Sequence, residues 1–191
     1  MSWKGRVGWG LAKLVLQVSA WSEAPRRAMN DVERRTLRAI FGDSLDTSVI
    51  EVREALSGLI NVSRRAFVIE NTMHLPMAPG LAPMHLIVHE ATHVWQFQNG
   101  GHAYITDSLH AQFLGDGYQL EKGLLQGRAW AQLNCEQQAT LVEEAWSQRC
   151  FDGRRFILRG RDWTQVFEAS RAEWLAGRGA EFTASGGTPD R

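Results

Sequence analysis

Residues 31–41 read DVERRTLRAIF, with Leu37, Ile40 and Phe41 recurring at three- and one-residue steps among charged neighbours. That recurrence places the apolar side chains on one face of a helix. Asn30 stands at the N-cap position, Glu33 follows three residues later as in a capping box, and Gly42 supplies a stop. A helix is therefore predicted over about 31–41. The pattern then changes. Three short runs with β-branched or aromatic content follow: SVIEV (48–52), RAFVI (65–69) and TMHL (72–75), the last two separated only by Glu70 and Asn71. They predict a small sheet that includes a hairpin.

After the loop PMAPGLAP the helical pattern returns over about 83–98, with Pro83 suited to a first turn and Gly100-Gly101 to an end. YITDSLHAQFLG spaces Tyr104, Ile105, Leu109 and Phe113 as a further amphipathic helix, ahead of the glycine-broken GDGYQLEKG. In NCEQQATLVEEAWSQRC, Asn134 and Gln137 form a capping-box pair, and Ala139, Val142, Trp146 and Cys150 form an apolar stripe. FDGRRFILRG predicts a short strand and DWTQVFEASRAEWLAG a last helix. The expected fold class is α+β, a small N-terminal sheet followed by a helical C-terminal half. One domain is expected over 30–176, preceded by an amphipathic docking segment at 1–29. Residues 177–191 are expected to form a flexible tail, too polar to offset its ordering entropy.

A chain of 191 residues suits one domain with a sizeable core. Its 21 Lys and Arg balance 21 Asp and Glu, which leaves no basic field to recruit nucleic acid. No apolar run approaches a membrane span. The N-terminal MSWKGRVGWGLAKLVLQVSAW imitates a signal peptide only loosely, because Lys13 interrupts its apolar stretch and no small-residue cleavage site follows. The expected location is the cytoplasm, or export by a machine that needs no cleaved signal. Cys135 and Cys150, if both lie on one helix, stand roughly 22 Å apart along its axis and cannot bridge. They read as small buried apolar residues.

The chemistry concentrates in LIVHEATHVW, residues 86–95. In a helix His89 and His93 differ by about forty degrees, so both rings can reach one ion at roughly 2.1 Å. Glu90 lies about one hundred degrees from His89, where it is placed less as a ligand than as a general base for a metal-bound water. The competing reading is a buried helix whose two histidines bond to neighbours. His85 falls on the same face, but it and His93 lie roughly 12 Å apart along the axis and cannot share a metal.

A third ligand must come from elsewhere. The metzincin pattern requires glycine three residues and histidine six residues after His93, where this chain has Gln96 and Asn99. The remaining candidates are His102, His110, Glu136, Glu143 and Glu144. The gluzincin arrangement, a glutamate on a downstream helix with a small residue three positions on, fits Glu136 with Ala139. Thr140 occupies the place where related motifs often carry an aspartate that orients a zinc histidine. That support is then expected from Thr140 itself, Glu143 or a backbone carbonyl.

HEATHVWQFQNGG, GDGYQL and NCEQQATLVEEAW together resemble the bacterial Vgr-related, zincin-like metallopeptidases linked to phage-tail-like and type VI secretion systems. ERRTLRAIFGDSLDTSVIEV resembles their N-terminal region, and the likeness covers roughly residues 30–150. It implies a zincin-like fold of gluzincin type, with Zn²⁺ held by His89, His93 and Glu136 and Glu90 as base. It also implies Tyr118 as a hydroxyl donor to the developing oxyanion, and TMHLP as a cleft edge for an extended peptide. Gln96 is expected to line the cleft and Trp95 to enter the core. The implied function is zinc-dependent hydrolysis of a peptide or protein substrate, in association with a phage-tail-like or type VI secretion component. The alternative is a catalytically silent or weakly active zincin-fold module with a structural or interaction role. The intact Glu90 favours the enzyme, since a structural site needs no such carboxylate.

Overall fold

Asn30 opens the first helix through two reciprocal bonds. Its Oδ1 accepts the backbone N–H groups of Val32 and Glu33, both at 2.9 Å, and Glu33 Oε2 accepts the N–H of Asn30 at 2.7 Å. The resulting helix α1 (Asp31–Phe41) buries Leu37, Ile40 and Phe41 and stops at Gly42, whose φ of 58° lies in the left-handed region. The computed structural model describes residues 26–54, 65–102 and 119–182. The docking segment as far as residue 25, the helix expected around 104–113 with His110, Tyr118, and the tail from 183 all lie outside these residues.

Four strands form one sheet in the order β1-β2-β4-β3. β1 (Arg26–Ala28) runs antiparallel to β2 (Glu51–Glu54), β2 parallel to β4 (Thr72–Leu75), and β3 (Phe67–Ile69) antiparallel to β4. Glu70, at φ 55°, makes the tight turn between β3 and β4. Val52, Val68 and Met73 lie in register across three strands and all are buried. β2 starts at Glu51 rather than at residue 48. The reason is local: Asp46 accepts the N–H of Ser48 at 2.9 Å and its hydroxyl at 2.6 Å, which closes a 3₁₀ turn over Thr47–Val49. TMHL is likewise not an edge. β2 and β3 take the backbone groups on its two sides, so β4 cannot be the strand that a peptide extends.

Arg27 ties the sheet to α1 and to the loop before the next helix. It donates to Glu33 at 2.8 Å and to Glu54 at 2.9 Å, while Glu54 Oε2 also accepts the N–H of Gly80 at 2.9 Å. Helix α2 (Met84–Gly100) follows, with Pro83 at its cap position rather than in its first turn. It is uncharged through most of its length and buried on nearly every side. Ile87, Val88, Ala91, Val94 and Trp95 have no exposed surface. Trp95 donates its indole N–H to Ser44 Oγ at 3.0 Å and to the Trp174 carbonyl at 3.2 Å, as a buried indole requires.

The glycine-broken stretch after residue 118 contains a short helix, α3 (Leu120–Leu125). Gly123 belongs there because a Cβ would stand 2.8 Å from Leu133 Cδ2. Helix α4 (Cys135–Ser147) opens on the Asn134 and Gln137 capping box and packs along α2. Cys150 is not on it. Arg149 turns into the left-handed region at φ 61° and ends the helix first, so the fifteen-residue helical separation from Cys135 does not apply. Both cysteines are buried and free. A hairpin of β5 (Ile157–Leu158) and β6 (Arg161–Asp162) leads into α5 (Thr164–Leu175), which brings Trp174 against Trp130 with ring centres 5.1 Å apart.

Residues 178–182 do not belong to a free tail. The Arg178 carbonyl accepts the Trp130 indole N–H at 3.0 Å, the Gly179 carbonyl accepts Gln138 Nε2 at 2.8 Å, and Ala180 is buried. Paired backbone groups and the buried Ala180 hold a segment whose composition alone reads as unstructured. Among the described residues no helix is long and apolar enough to cross a membrane.

Candidate metal centre

The helical spacing of His89 and His93 brings their rings to 5.1 Å between centroids, edge to face at 75°. Glu136 approaches from the second turn-forming residue of α4. Its Oε2 lies 3.5 Å from His89 Nε2 and 3.6 Å from His93 Nε2. One donor atom from each of these three residues falls within 4.8 Å of the others, a set that could hold a metal ion. The capping box places Glu136. Asn134 Oδ1 accepts the N–H of Gln137 at 2.8 Å and Gln137 Nε2 donates to the Gln119 carbonyl at 3.1 Å, which ties the first turn of α4 to the start of α3, while Gln96 of α2 donates to the Cys135 carbonyl at 3.0 Å.

The other ring nitrogens are also engaged. His89 Nδ1 meets Glu143 Oε2 at 2.9 Å, and His93 Nδ1 meets Gln96 Oε1 at 2.8 Å. Glu143 is seven residues after Glu136, two helical turns on the same face, so one face of α4 serves both nitrogens of His89. With each Nδ1 bonded to an oxygen, each Nε2 is left toward Glu136, the arrangement that metal-binding histidines use. Thr140, another candidate for this support, instead donates its hydroxyl to the Glu136 carbonyl at 2.8 Å.

Burial lowers the proton affinity of His89, but the adjacent Glu136 and Glu143 carboxylates outweigh it and push the imidazole up to about 10. His93 moves the same way, with burial opposed and overcome by Glu136. Burial raises Glu90, against the pull of His89 and His93. Two imidazoles thus sit among carboxylates that favour positive charge. A divalent cation can satisfy that preference in place of the protons.

Glu90 is 4% exposed, and its Oε2 has no hydrogen-bond partner among the described residues. A buried carboxylate oxygen left unpaired is costly unless a further group meets it, so the donor set and its neighbour fit a metal with its water. His85 is exposed, as the axial separation requires. His102 is exposed too, paired with Glu70 at 3.3 Å and set against the Phe97 ring, away from the site. Gln96 does not line a cleft. It is fully buried and donates its Nε2 to the Cys135 carbonyl and to Gln138 Oε1, each at 3.0 Å. Gln138 gave no signal in the sequence; its place depends on two helices meeting.

Over 137 aligned residues, 64% of this chain, the sequence is 26% identical to the type VI secretion system spike protein VgrG2b of Pseudomonas aeruginosa. The match spans 13% of that protein, so the chain corresponds to a small part of it. No protein-family model matches the chain. No solved structure matches it.

Proposed function

We propose that this chain is a zinc-dependent metallopeptidase of gluzincin-like type on a zincin-like fold. The observation that carries the reading is the donor group of two imidazoles and one carboxylate, with the buried Oε2 of Glu90 beside it unpaired among the described residues. His89, His93 and Glu136 would hold Zn²⁺, which would supply a Lewis acid for a peptide carbonyl and for water. Glu90 takes a proton from the attacking water and returns it to the departing amine. Glu143 and Gln96 keep the two imidazoles oriented. Tyr118, outside the described residues, is the proposed hydroxyl donor to the oxyanion.

Similarity to a type VI secretion system spike protein supports a place for this chain in such a system. The same similarity favours a second reading, a zinc-binding module that acts by interaction. Incubation of the zinc-loaded wild type and Glu90→Gln with a peptide library separates them. Cleavage by wild type and its loss in the variant supports the peptidase. Zinc uptake by both with turnover by neither supports the module.

A further inference from the structure

We infer that Gln96, held by Gln138 and the Cys135 carbonyl, is a positioning residue that keeps a proton on His93 Nδ1 and so reserves Nε2 for a metal ion. The inference rests on the metal reading above and adds the device that sets one ligand's tautomer.

The direction of every bond in this chain of side chains is dictated by backbone carbonyls. Gln138 places one amide end against the Trp130 carbonyl at 2.9 Å and the Gly179 carbonyl at 2.8 Å. Carbonyls only accept, so that end is the NH₂ and the other end is the oxygen. The oxygen faces Gln96 at 3.0 Å, and the Cys135 carbonyl faces the same end of Gln96, also at 3.0 Å. Two acceptors again demand the NH₂ of Gln96, which turns its Oε1 toward His93 Nδ1 at 2.8 Å. An amide oxygen cannot donate, so Nδ1 must carry hydrogen. Flipping either amide would set oxygen against oxygen twice, at sites where Gln96 and Gln138 have no exposed surface to recruit water.

The network therefore runs from three backbone carbonyls to one ring nitrogen. It also joins the metal-binding helix to the docked C-terminal segment through Gly179. On the neighbouring ligand the same task falls to a carboxylate, Glu143, which has no amide to orient.

The test uses the full chain. Zinc dissociation constants, by competition with a chromophoric chelator, are compared for wild type, Gln96→Leu, Gln96→Glu and Gln138→Met. ¹⁵N spectra of histidine-labelled, zinc-loaded wild type report the tautomer of His93. Gln96→Leu is expected to bind zinc about 10–100-fold more weakly. Gln96→Glu keeps an oxygen for Nδ1–H but sets its second oxygen against the Cys135 carbonyl and Gln138 Oε1, so it is expected to recover only part of that loss. Gln138→Met is expected to fall between Gln96→Leu and wild type, and His93 to show protonated Nδ1 and metal on Nε2. Should Gln96→Leu fail to fold, the wild-type spectrum and Gln138→Met still decide. A His93 that carries its proton on Nε2, or a Gln96→Leu protein that binds zinc as tightly as wild type, overturns the inference alone. Wild type that takes up no zinc overturns the metal reading and the inference together.

Discussion

Glu143 Oε2 lies 2.9 Å from Nδ1 of His89, across 54 residues of chain, while the corresponding nitrogen of His93 meets an amide. The two imidazoles are therefore held by different chemistry. A carboxylate makes its histidine the more basic donor. Glu143→Leu is expected to weaken zinc binding about 10–100-fold, and Glu143→Gln, which keeps an acceptor without the charge, by less. Chelator competition measures both; equal affinities across wild type and the two variants would show that Glu143 does not support His89.

Removal of a ligand has a larger effect than removal of its support. Purified His93→Ala and Glu136→Ala proteins are expected to retain little zinc after dialysis, by elemental analysis, where wild type retains one equivalent. Full stoichiometry in both variants would reject the ligand assignment.

The Arg27 guanidinium holds Glu54 below its ordinary carboxylate range, against the opposing effect of burial and with help from the Gly80 N–H. A depressed carboxyl stabilises the fold at pH values above its unfolded value. That contribution fades as pH falls through the folded value. At neutral pH Glu54→Gln is expected to lose about 1.5–3 kcal/mol, the scale of hydrogen bonds to a charged group. The gap from wild type should narrow as the medium is acidified, in denaturant titrations at several pH values. A gap independent of pH would mean that the Arg27 contact contributes nothing through charge.

A Cβ on Gly100 would stand 1.9 Å from the Ala180 carbonyl oxygen. Alanine ordinarily favours a helix over glycine, so a docked segment reverses the usual sign. Gly100→Ala is expected to destabilise the protein by about 1–3 kcal/mol through overpacking, seen as a lower melting temperature. Melting at or above the wild-type temperature would place residues 178–182 off the core.

Local elements were legible where the bonds that make them lie within a few residues. The Asn30 and Glu33 box, the Asn134 and Gln137 box, and the tight turn at Glu70 follow from neighbours in the chain. The start of β2 was misplaced for the same reason in reverse, because the Asp46 side chain competed with the ladder. Helix α3 was hidden by Gly123, which looks like a breaker until Leu133 packs against it. The order of strands was out of reach, since the pairing of β2 with β4 depends on which edges meet, and TMHL became an inner strand.

At the candidate site, helical periodicity alone set His89 and His93 on one face with Glu90 beside them and His85 out of reach. Sequence and resemblance nominated Glu136 among several carboxylates. Only the packing of α4 along α2 divided their tasks, with Glu136 toward both Nε2 atoms and Glu143 on His89 Nδ1. The Gln96 and Gln138 chain is tertiary altogether. Its hydrogen bonds run between helices and to the carbonyls of Trp130, Cys135 and Gly179, and such a bond exists only once the elements that carry its two ends have packed together.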